Sequence, residues 1–512
     1  MSVRLPTSPA RQPHPVPDPT KWWRMAAYLF LGLGLLLRVV VWWQQRSIVL
    51  DEANLIRNYV ERSYGQLFHS LDYEQYAPPL FSVAVKACIQ AFGNNELSVR
   101  LFPLLCSMAT LVLFRRMAQR WLPAPFACLA LAFVAFGAVF IDYATECKQY
   151  ATDGFVALGL LEVAHAAGGR RLTTPWALAL TGLGAVAVWL SMPAVFVLAG
   201  IGCGWLARSI RAQDRQTTVR LFLVGAGWAA SFLVYFFLLL KASTQLSNLQ
   251  TFHREHFLAF PPRSLEELRL LLRQLQLIAD RAIGKTVLAL VLATVGFALG
   301  VWQAIKRREE PFWFFFFPIA ACLTASAMHY YSLIPRLTLF FLPLVVVLVF
   351  QGLAQITAAR LPRVVVLGLT VAVLANQQQL RHLFTPFYGD YAEVRSGLEY
   401  IAGHQRPGDV VFLNYNVSPI GRYYLHHRTP AIRLNAVVLQ PLPPASLTDL
   451  SALIPADLQR LRGQGVGRVW LLYDRRDESF SAMAASQGRI IQRADFERGY
   501  VLLLAFSPSA AL

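Results

Sequence analysis

The chain has 512 residues, of which 56% are hydrophobic and 15% are charged, and its formal net charge at pH 7 is +18. Soluble globular proteins carry about 25% charged residues, so this composition excludes an ordinary soluble enzyme. A mean hydropathy of +0.44 and an aromatic content of 12% are typical of a protein whose solvent is partly lipid. We therefore predict an α-helical polytopic membrane protein.

The first 24 residues contain six prolines, which prevent a regular helix because proline lacks a backbone donor and restricts the residue before it. We interpret 1–24 as a disordered cytoplasmic tail. The first apolar stretch, 25–45, is too long for a signal-peptide core and has no small-residue cleavage site behind it. We expect this stretch to remain as a membrane span.

Ten further apolar stretches have roughly spanning length, which brings the expected number of transmembrane helices to about eleven. They lie at 99–118, 124–141, 151–166, 175–190, 193–207, 219–240, 286–305, 311–328, 337–356 and 362–376. The count is open by one or two, because 175–207 could be one broken span and 78–92 could be a re-entrant or interfacial helix. Together the spans define a transmembrane domain over 25–376.

Basic residues cluster in alternate loops, on the side of the basic N-terminal tail. The clusters are Arg115, Arg116 and Arg120; Arg170 and Arg171; Arg208, Arg211, Arg215 and Arg220; Lys306, Arg307 and Arg308; and Arg360 and Arg363. Because cytoplasmic loops carry the excess of lysine and arginine, we predict a cytoplasmic N-terminus in a bacterial inner membrane. Topology then explains the positive charge, and no nucleic-acid partner is expected.

An odd number of spans leaves three features outside: the loops 46–98 and 241–285, and a soluble domain over 377–512. This last region alternates β-type apolar runs with helical patterns, which predicts a small extracytoplasmic α/β domain. The expected strands are 410–413, 469–473 and 500–506, and the expected helices are 391–401, 456–462 and 480–487.

The sequence shows no dedicated metal site, although a divalent metal remains possible. The six cysteines lie mostly in apolar segments without metal-ligand spacing, so we predict neither zinc nor a disulfide framework, and no cofactor. The run from His253 to His256 could bind a metal or the acceptor. The interpretation that we favour is a solvated stretch before the amphipathic helix that we predict over 265–278.

Two adjacent acids, Asp51 and Glu52, follow the first span directly. A carboxylate held just outside the membrane can act as a general base. The alternative is a solvated helix start, where acidic side chains interact favourably with the helix dipole. Position alone leaves both interpretations open.

Further segments accompany this acidic pair along the chain. They are Leu50-Asp51-Glu52-Ala53, Pro78-Pro79-Leu80, Glu96 to Pro103, Tyr143 to Ala151, and Ile334 to Leu339. In this order they resemble the C-type glycosyltransferase (GT-C) superfamily, in particular the family 39-like enzymes related to protein O-mannosyltransferases and the lipid A aminoarabinose transferase. The resemblance covers about 350 residues. Lys148 stands where relatives often have arginine, and Leu337 where they often have tyrosine.

The resemblance implies a GT-C fold and an enzyme that moves a hexosyl or pentosyl group from a polyprenyl phosphate to an acceptor hydroxyl. The acceptor could be a glycan, a lipid or a protein. By resemblance Asp51 is the general base, and Glu52 supports its position or contacts the acceptor. Candidates for binding the donor phosphate are Lys148 and Arg336, and more weakly Arg57, Lys86, Arg100 and Arg254. Expected supporting residues are Glu146, Tyr150, Asp153 and Arg100, with Asp153 as a partner of Lys148.

Other interpretations remain open at this level. Arg336 could mark a membrane interface by snorkelling, and Lys148 could pair with Glu146 or Asp153 at the start of a span. A transporter or flippase of lipid-linked sugars would share the helices and intramembrane charges but would not need the acidic pair. A polymerase or ligase of lipid-linked sugars would use a similar donor with a diphosphate carrier.

Overall fold

The computed structural model describes residues 21–168, 172–241, 254–307, 310–359, 368, 370–373, 393–441 and 453–506. Within these ranges the chain is mostly helical. The helices discussed below are α1 Lys21–Trp43, α2 Leu50–Glu61, α3 Pro79–Phe92, α4 Glu96–Trp121, α5 Ala124–Phe136, α6 Ala138–Asp142, α7 Tyr150–Ala167, α8 Thr174–Leu190, α9 Ala194–Arg211, α10 Arg215–Tyr235, α11 Leu265–Ala282, α12 Val287–Arg307, α13 Phe317–Ala327, α14 Leu342–Ala359, α15 Val394–His404, α16 Ser418–Arg422, α17 Leu453–Gly463 and α18 Glu478–Gln487.

Ten of the eleven predicted spans coincide with helices, and the eleventh, 362–376, lies largely outside the described residues. In the described part of the chain, five helices are long and apolar enough to cross a membrane: α1, α4, α9, α10 with its extension to Leu240, and α12. The bent pair α5–α6 would make a sixth, with an angle of 55° between its halves. The chain is therefore a multi-pass membrane protein, and the described residues supply five or six of its full-length crossings.

Part of the difference from the predicted count comes from shorter apolar helices, and part from α7, which has 18 residues but contains Asp153 and Glu162. The short apolar helices are Pro79–Phe92, Thr174–Leu190, Phe312–Ala327 and Leu342–Ile356. The sequence break around Pro193 separates two helices, since α8 ends at Leu190 and α9 begins at Ala194. The predicted amphipathic helix over 265–278 is present as α11, with several exposed leucines.

Two membrane helices pack with their backbones in contact. A Cβ atom on Gly300 of α12 would lie 2.0 Å from the carbonyl oxygen of Leu348 in α14. Likewise, a Cβ atom on Gly352 would lie 1.9 Å from the oxygen of Gly296. Such close approach increases the van der Waals contact between helices, which is important in lipid because burial there adds little hydrophobic free energy.

The C-terminal region forms a five-stranded sheet with the order β2-β1-β3-β5-β4. Its strands are β1 Val410–Leu413, β2 Ala436–Leu439, β3 Arg468–Tyr473, β4 Arg489–Asp495 and β5 Tyr500–Ala505. Strand β1 pairs in parallel with β2 and β3, whereas β5 pairs antiparallel with β3 and β4. The three predicted strands are the central ones, and the two that were not predicted, β2 and β4, are the edge strands.

The sheet domain packs directly on the segment between α1 and α4. One buried apolar cluster joins Ile56 of α2 and Phe81 of α3 to Leu398, Ile420 and Trp470 of the C-terminal region. The C-terminal region therefore packs against α2 and α3 and shares a buried apolar core with them.

Polar contacts fix the same junction. The carboxylate of Glu96, at the start of α4, accepts hydrogen bonds from Arg395 at 2.9 Å and from Arg428 at 3.0 Å. The backbone N–H of Ile48 donates to the Tyr424 hydroxyl at 2.9 Å. We call this end of the bundle, where α4 begins, the domain end. The opposite end of the bundle, where α4 finishes at Trp121, lies about 37 Å from the start of α4. We call it the far end.

Candidate active site

Asp51 lies in the first turn of α2, immediately after the chain leaves α1. Both acids of the pair, Asp51 and Glu52, stand near the helix N-terminus, where the dipole favours negative charge. Their environments differ sharply, because the Asp51 side chain is 39% exposed and that of Glu52 is fully buried. The two neighbours therefore cannot have the same role.

Glu52 forms a buried ion pair with Arg100 of α4. Its Oε2 accepts from an Arg100 terminal nitrogen at 2.6 Å and its Oε1 from Arg100 Nε at 2.9 Å. The same carboxylate also accepts from the backbone N–H groups of Cys147 at 2.7 Å and Val49 at 3.2 Å. Arg100 donates in addition to the carbonyl oxygens of Arg46 and Ser47, at 2.6 and 3.1 Å. These contacts join three separate stretches of chain around one charge pair.

Asp51 faces two cations from distant parts of the sequence. Its Oδ2 lies 3.2 Å from an Arg336 guanidinium nitrogen and 4.0 Å from Lys148 Nζ. Lys148 also donates to the side-chain oxygen of Gln75 at 2.7 Å. The structure thus brings together Asp51, Lys148 and Arg336, which are the three leading candidates of the sequence analysis.

The charges around this cluster shift two carboxyl groups in opposite directions. Lys148 holds the pKa of Asp51 below its usual value, partial burial opposes this, and Arg336 lowers it further. Burial raises the pKa of Glu146 to about 7, and the nearby charge of Glu52 adds to the rise. Asp51 is therefore ionised throughout the neutral range, while Glu146 changes charge within it.

Two tyrosines form an aromatic wall beside the cations. The Arg336 guanidinium carbon lies 5.9 Å from the centroid of the Tyr150 ring, within the range of a cation–π contact. Tyr143 meets Tyr150 edge to face, with ring centroids 5.2 Å apart. Tyr143 and Gln75 were missed as site residues, although each lies within or beside a segment that carried the family resemblance.

Arg57 and Lys86, the weaker predicted phosphate ligands, are engaged elsewhere. Arg57 binds Glu61 at 3.2 Å and the Tyr73 hydroxyl at 2.6 Å. Lys86 donates to the carbonyl oxygens of Tyr59 and Arg62, near the end of α2. The structure therefore does not place either cation in the Asp51 cluster, and both hold α2 and its flanking loop in position.

The predicted pairing of Lys148 with Asp153 is wrong, because Lys148 points towards Asp51 and Gln75 instead. Lys148 lies two residues before α7 begins, whereas Asp153 lies in the first turn of that helix, so the two side chains do not share a helix face. Asp153 is buried, and its Oδ1 has no hydrogen-bond partner among the described residues. The side chain of Arg254 lies outside the described residues.

The side chains around Asp51 can be compared with the set of ligands that a metal ion needs. In the described ranges no three His, Cys, Asp or Glu side chains are grouped to hold an ion. The charges beside Asp51 are a guanidinium and an ammonium, which attract an anion and repel a cation. All six cysteines are free thiols.

Comparisons by sequence give no match, since neither a family model nor a curated protein resembles the chain closely enough. Comparisons by structure give clear matches. ArnT from Cupriavidus metallidurans bound to undecaprenyl phosphate matches with a TM-score of 0.51 and 14% identity, covering 96% of this chain and 100% of that one. Archaeal oligosaccharyltransferase AglB from Archaeoglobus fulgidus, in complex with an inhibitory peptide and a dolichol-phosphate, matches with a TM-score of 0.51 and 12% identity.

The second alignment covers 91% of this chain and 71% of AglB. At such low identities the likeness establishes the fold, and both proteins are members of one superfamily. The match to ArnT spans nearly all of both chains, so it includes the membrane helices together with the C-terminal sheet. The chain therefore has the fold of the C-type glycosyltransferase superfamily.

Proposed function

We propose that the protein is a membrane glycosyltransferase that moves a sugar from a polyprenyl phosphate to an acceptor hydroxyl at the domain end of the bundle. The observation that carries this proposal is the half-exposed Asp51 carboxylate held between Arg336 and Lys148. A base and a cationic phosphate clamp are the minimum that such a transfer needs. By the distribution of arginines, this end faces the outside of a bacterial inner membrane.

The cluster is poised for an anionic ligand. In this arrangement Asp51 is the anion that neutralises Arg336 and Lys148. A donor phosphate would compete for the same cations, and Arg336 could bind two of its oxygens with its planar fork. As the cations turn to the phosphate, the pKa of Asp51 rises again, which makes its carboxylate a stronger base when the donor is bound.

In the proposed reaction, one bond forms at the anomeric carbon of the sugar and another bond at the same carbon breaks. The acceptor oxygen attacks the anomeric carbon while its proton moves to the Asp51 carboxylate. The bond between that carbon and the phosphate oxygen breaks, and the electron pair leaves with the polyprenyl phosphate. Arg336 and Lys148 stabilise the charge that develops on this leaving group, which is where preorganised donors lower a barrier most.

Glu52 has a different part in this proposal. Both of its oxygens are occupied by Arg100 and by backbone donors, and its side chain is fully buried. We therefore assign Glu52 to positioning Asp51 rather than to contact with the acceptor. Because the pair fixes the start of α2, it fixes the direction in which the next residue along the helix presents its carboxylate.

The structural relatives support the lipid-linked donor. ArnT was crystallised with undecaprenyl phosphate, and AglB was solved in complex with an inhibitory peptide and a dolichol-phosphate. Both ligands contain the polyprenyl-type phosphate that the Arg336–Lys148 clamp would bind. A transporter or flippase is the main alternative, and it makes no use of a base at this position.

Asp51→Asn should abolish transfer while leaving donor binding largely intact. The substitution keeps the shape of the side chain but removes the proton acceptor, and general base catalysis contributes about 10²- to 10⁴-fold in rate. Turnover and donor binding would be measured separately on purified protein. Asp72→Asn is the matched control, since Asp72 lies in the same loop in a half-exposed pair with Arg62 and should retain activity.

If Glu146→Gln rather than Asp51→Asn abolishes turnover, the base is misassigned but the glycosyltransferase function stands. If neither variant reduces transfer, the acidic cluster is structural. Donor translocation without any transfer would support the transporter instead.

Arg336→Ala should weaken transition-state binding of the lipid-phosphate donor by about 2 to 4 kcal/mol, the size expected for a lost preorganised donor. The measurement is kcat/KM for the donor, with Arg336→Lys expected to recover part of the loss because it keeps the charge. Arg263→Ala removes an exposed arginine before α11 and serves as the control. Unchanged donor dependence in Arg336→Ala would assign Arg336 to the membrane interface and leave Lys148 as the phosphate ligand.

Donor affinity should fall as the pH rises through about 7, because Glu146 then gains a negative charge beside the phosphate clamp. The sign follows from its raised pKa, which keeps the carboxyl neutral below this range. The donor KM of the wild type should increase several-fold between pH 6 and 8 by this effect, while Glu146→Gln shows a flat profile. Identical profiles in the two proteins would exclude Glu146 as the titrating group.

Arg100→Met should destabilise the protein by about 3 to 5 kcal/mol, since it leaves the Glu52 charge buried without its partner. Thermal unfolding in detergent measures the effect. Arg57→Met is the control: it removes a partly exposed pair with Glu61, which is worth about 0 to 1 kcal/mol. The double variant Glu52→Leu, Arg100→Met should recover stability but not turnover if the pair also positions Asp51; recovery of both would contradict the positioning role.

A further inference from the structure

A cavity of about 420 Å³ opens at the far end of the bundle, where α4, α9 and α12 finish. Its lining includes Trp121, Trp313, Arg208, Arg211, Arg307 and Glu310. The cavity is distinct from the Asp51 cluster. Arg100 lies in the second turn of α4 and Trp121 is its last residue, so most of the length of a 26-residue helix separates the two.

The described lining of the cavity contains more basic than acidic side chains. Arg208 lies 3.3 Å from Glu310, whose other oxygen is 3.1 Å from His165 Nδ1. Arg211 and Arg307 have no ion-pair partner within the part of the chain that the structure describes. Among the lining residues that the structure describes, a single acid, Glu310, therefore accompanies three arginines.

Two indole rings border the same cavity. Trp313 packs tightly on α9, because a Cβ atom on Gly204 would lie only 2.8 Å from the Trp313 side chain. Trp121 packs edge to face on the His165 ring, with centroids 6.0 Å apart. Tryptophan is enriched at the headgroup level of a bilayer, where its ring is partly apolar and its N–H is polar. The rings therefore place the cavity at the membrane–water boundary.

Apolar side chains at the same ends of α9 and α12 are exposed, on helix faces that point away from the cavity arginines. Ile210 of α9 is 58% exposed, and Ile305 of α12 is 42% exposed. In a membrane protein such side chains face acyl chains. An anion held by the cavity arginines would therefore lie at the depth where the lipid-facing surface of α9 and α12 ends.

We propose that this cavity binds the phosphate headgroup of an anionic phospholipid, with Arg211 and Arg307 on the phosphate oxygens and the indole rings against the glycerol region. Guanidinium groups match phosphate oxygens in geometry as well as in charge. Basic pockets between transmembrane helices are suited to acidic lipid headgroups, and the volume lies in the range of about 300–1,000 Å³ for small-ligand pockets. The bound lipid would hold the far ends of α9 and α12 and the segment of Trp313 together.

The test measures thermal stability of the purified full-length chain in a neutral detergent. Dihexanoyl-phosphatidylglycerol should raise the unfolding temperature with a saturable dose dependence, because it binds the folded state alone. Dihexanoyl-phosphatidylcholine, which carries the same acyl chains and no net charge, should have a much smaller effect. Inorganic phosphate at matched ionic strength separates a lipid site from a site for the free anion, and equal shifts by phosphate and by phosphatidylglycerol would overturn the lipid assignment.

Arg211→Gln and Arg307→Gln, singly and together, identify the site. Both side chains are exposed, so the variants should fold, and the unfolding temperature without lipid verifies this. The double variant should need at least about tenfold more phosphatidylglycerol for half of the effect. Arg116→Gln, an exposed arginine near the same end of α4, should respond like the wild type.

Arg336→Ala should also keep the response, since its phosphate clamp lies at the other end of the bundle. An unchanged response in Arg211→Gln, Arg307→Gln would overturn the proposal and leave these arginines as cations that interact only with the helix ends. A response lost in Arg336→Ala instead would place the lipid at the domain end. Neither result depends on the transferase activity of the protein.

Discussion

The buried pair of Glu52 and Arg100 is the constraint on which the domain end depends. Burying two charges is costly unless every oxygen and N–H finds a partner, and here Glu52 is satisfied by Arg100 together with two backbone N–H groups. The partners come from the start of α2, from α4 and from the segment before α7. Since all three must meet at one point, the pair fixes the first outer segment relative to the bundle.

The position of Asp51 follows from that constraint. Adjacent residues at a helix start point in directions about 100° apart, so a buried Glu52 turns Asp51 towards the open side. There it meets Arg336 and Lys148, which come from opposite halves of the membrane domain. Glu52 is thus buried in its ion pair with Arg100, whereas Asp51 stays partly exposed and its pKa is lowered. In the proposed function, Glu52 therefore has the positioning role and Asp51 the chemical one.

The two ends of the bundle differ in how their charges are balanced. At the domain end, cations face carboxylates, and the sheet domain adds Arg395 and Arg428 to the buried Glu96. At the far end, the described lining of the cavity contains three arginines and one acid, Glu310. A surplus of cations near a bilayer surface attracts anionic lipid within about a Debye length. The excess of arginine at one end of the bundle, which predicts the orientation in the membrane, therefore also gives the cavity at that end a basic lining.

Apolar run length and composition determined the membrane class of the protein, the positions of ten helices and the three central strands of the sheet. These features depend on local burial and periodicity, which a sequence displays directly. The edge strand β4 was not recognisable because its side chains are mixed, as Arg489–Asp495 shows, and the edge strand β2, Ala436–Leu439, is apolar but only four residues long. Segment order also pointed to the GT-C fold and to Asp51, Lys148 and Arg336 as a group.

Only the tertiary structure decided which charges meet. Arg57, Lys86 and Arg100 look like Arg336 in a sequence, yet the first three satisfy carboxylates and carbonyl groups inside the protein. Pairing of charges depends on distances between residues that are up to 285 positions apart in the chain, as for Arg336 and Asp51. Local spacing carries no information on such distances, since the cost of burying a charge is balanced by partners that folding alone brings near.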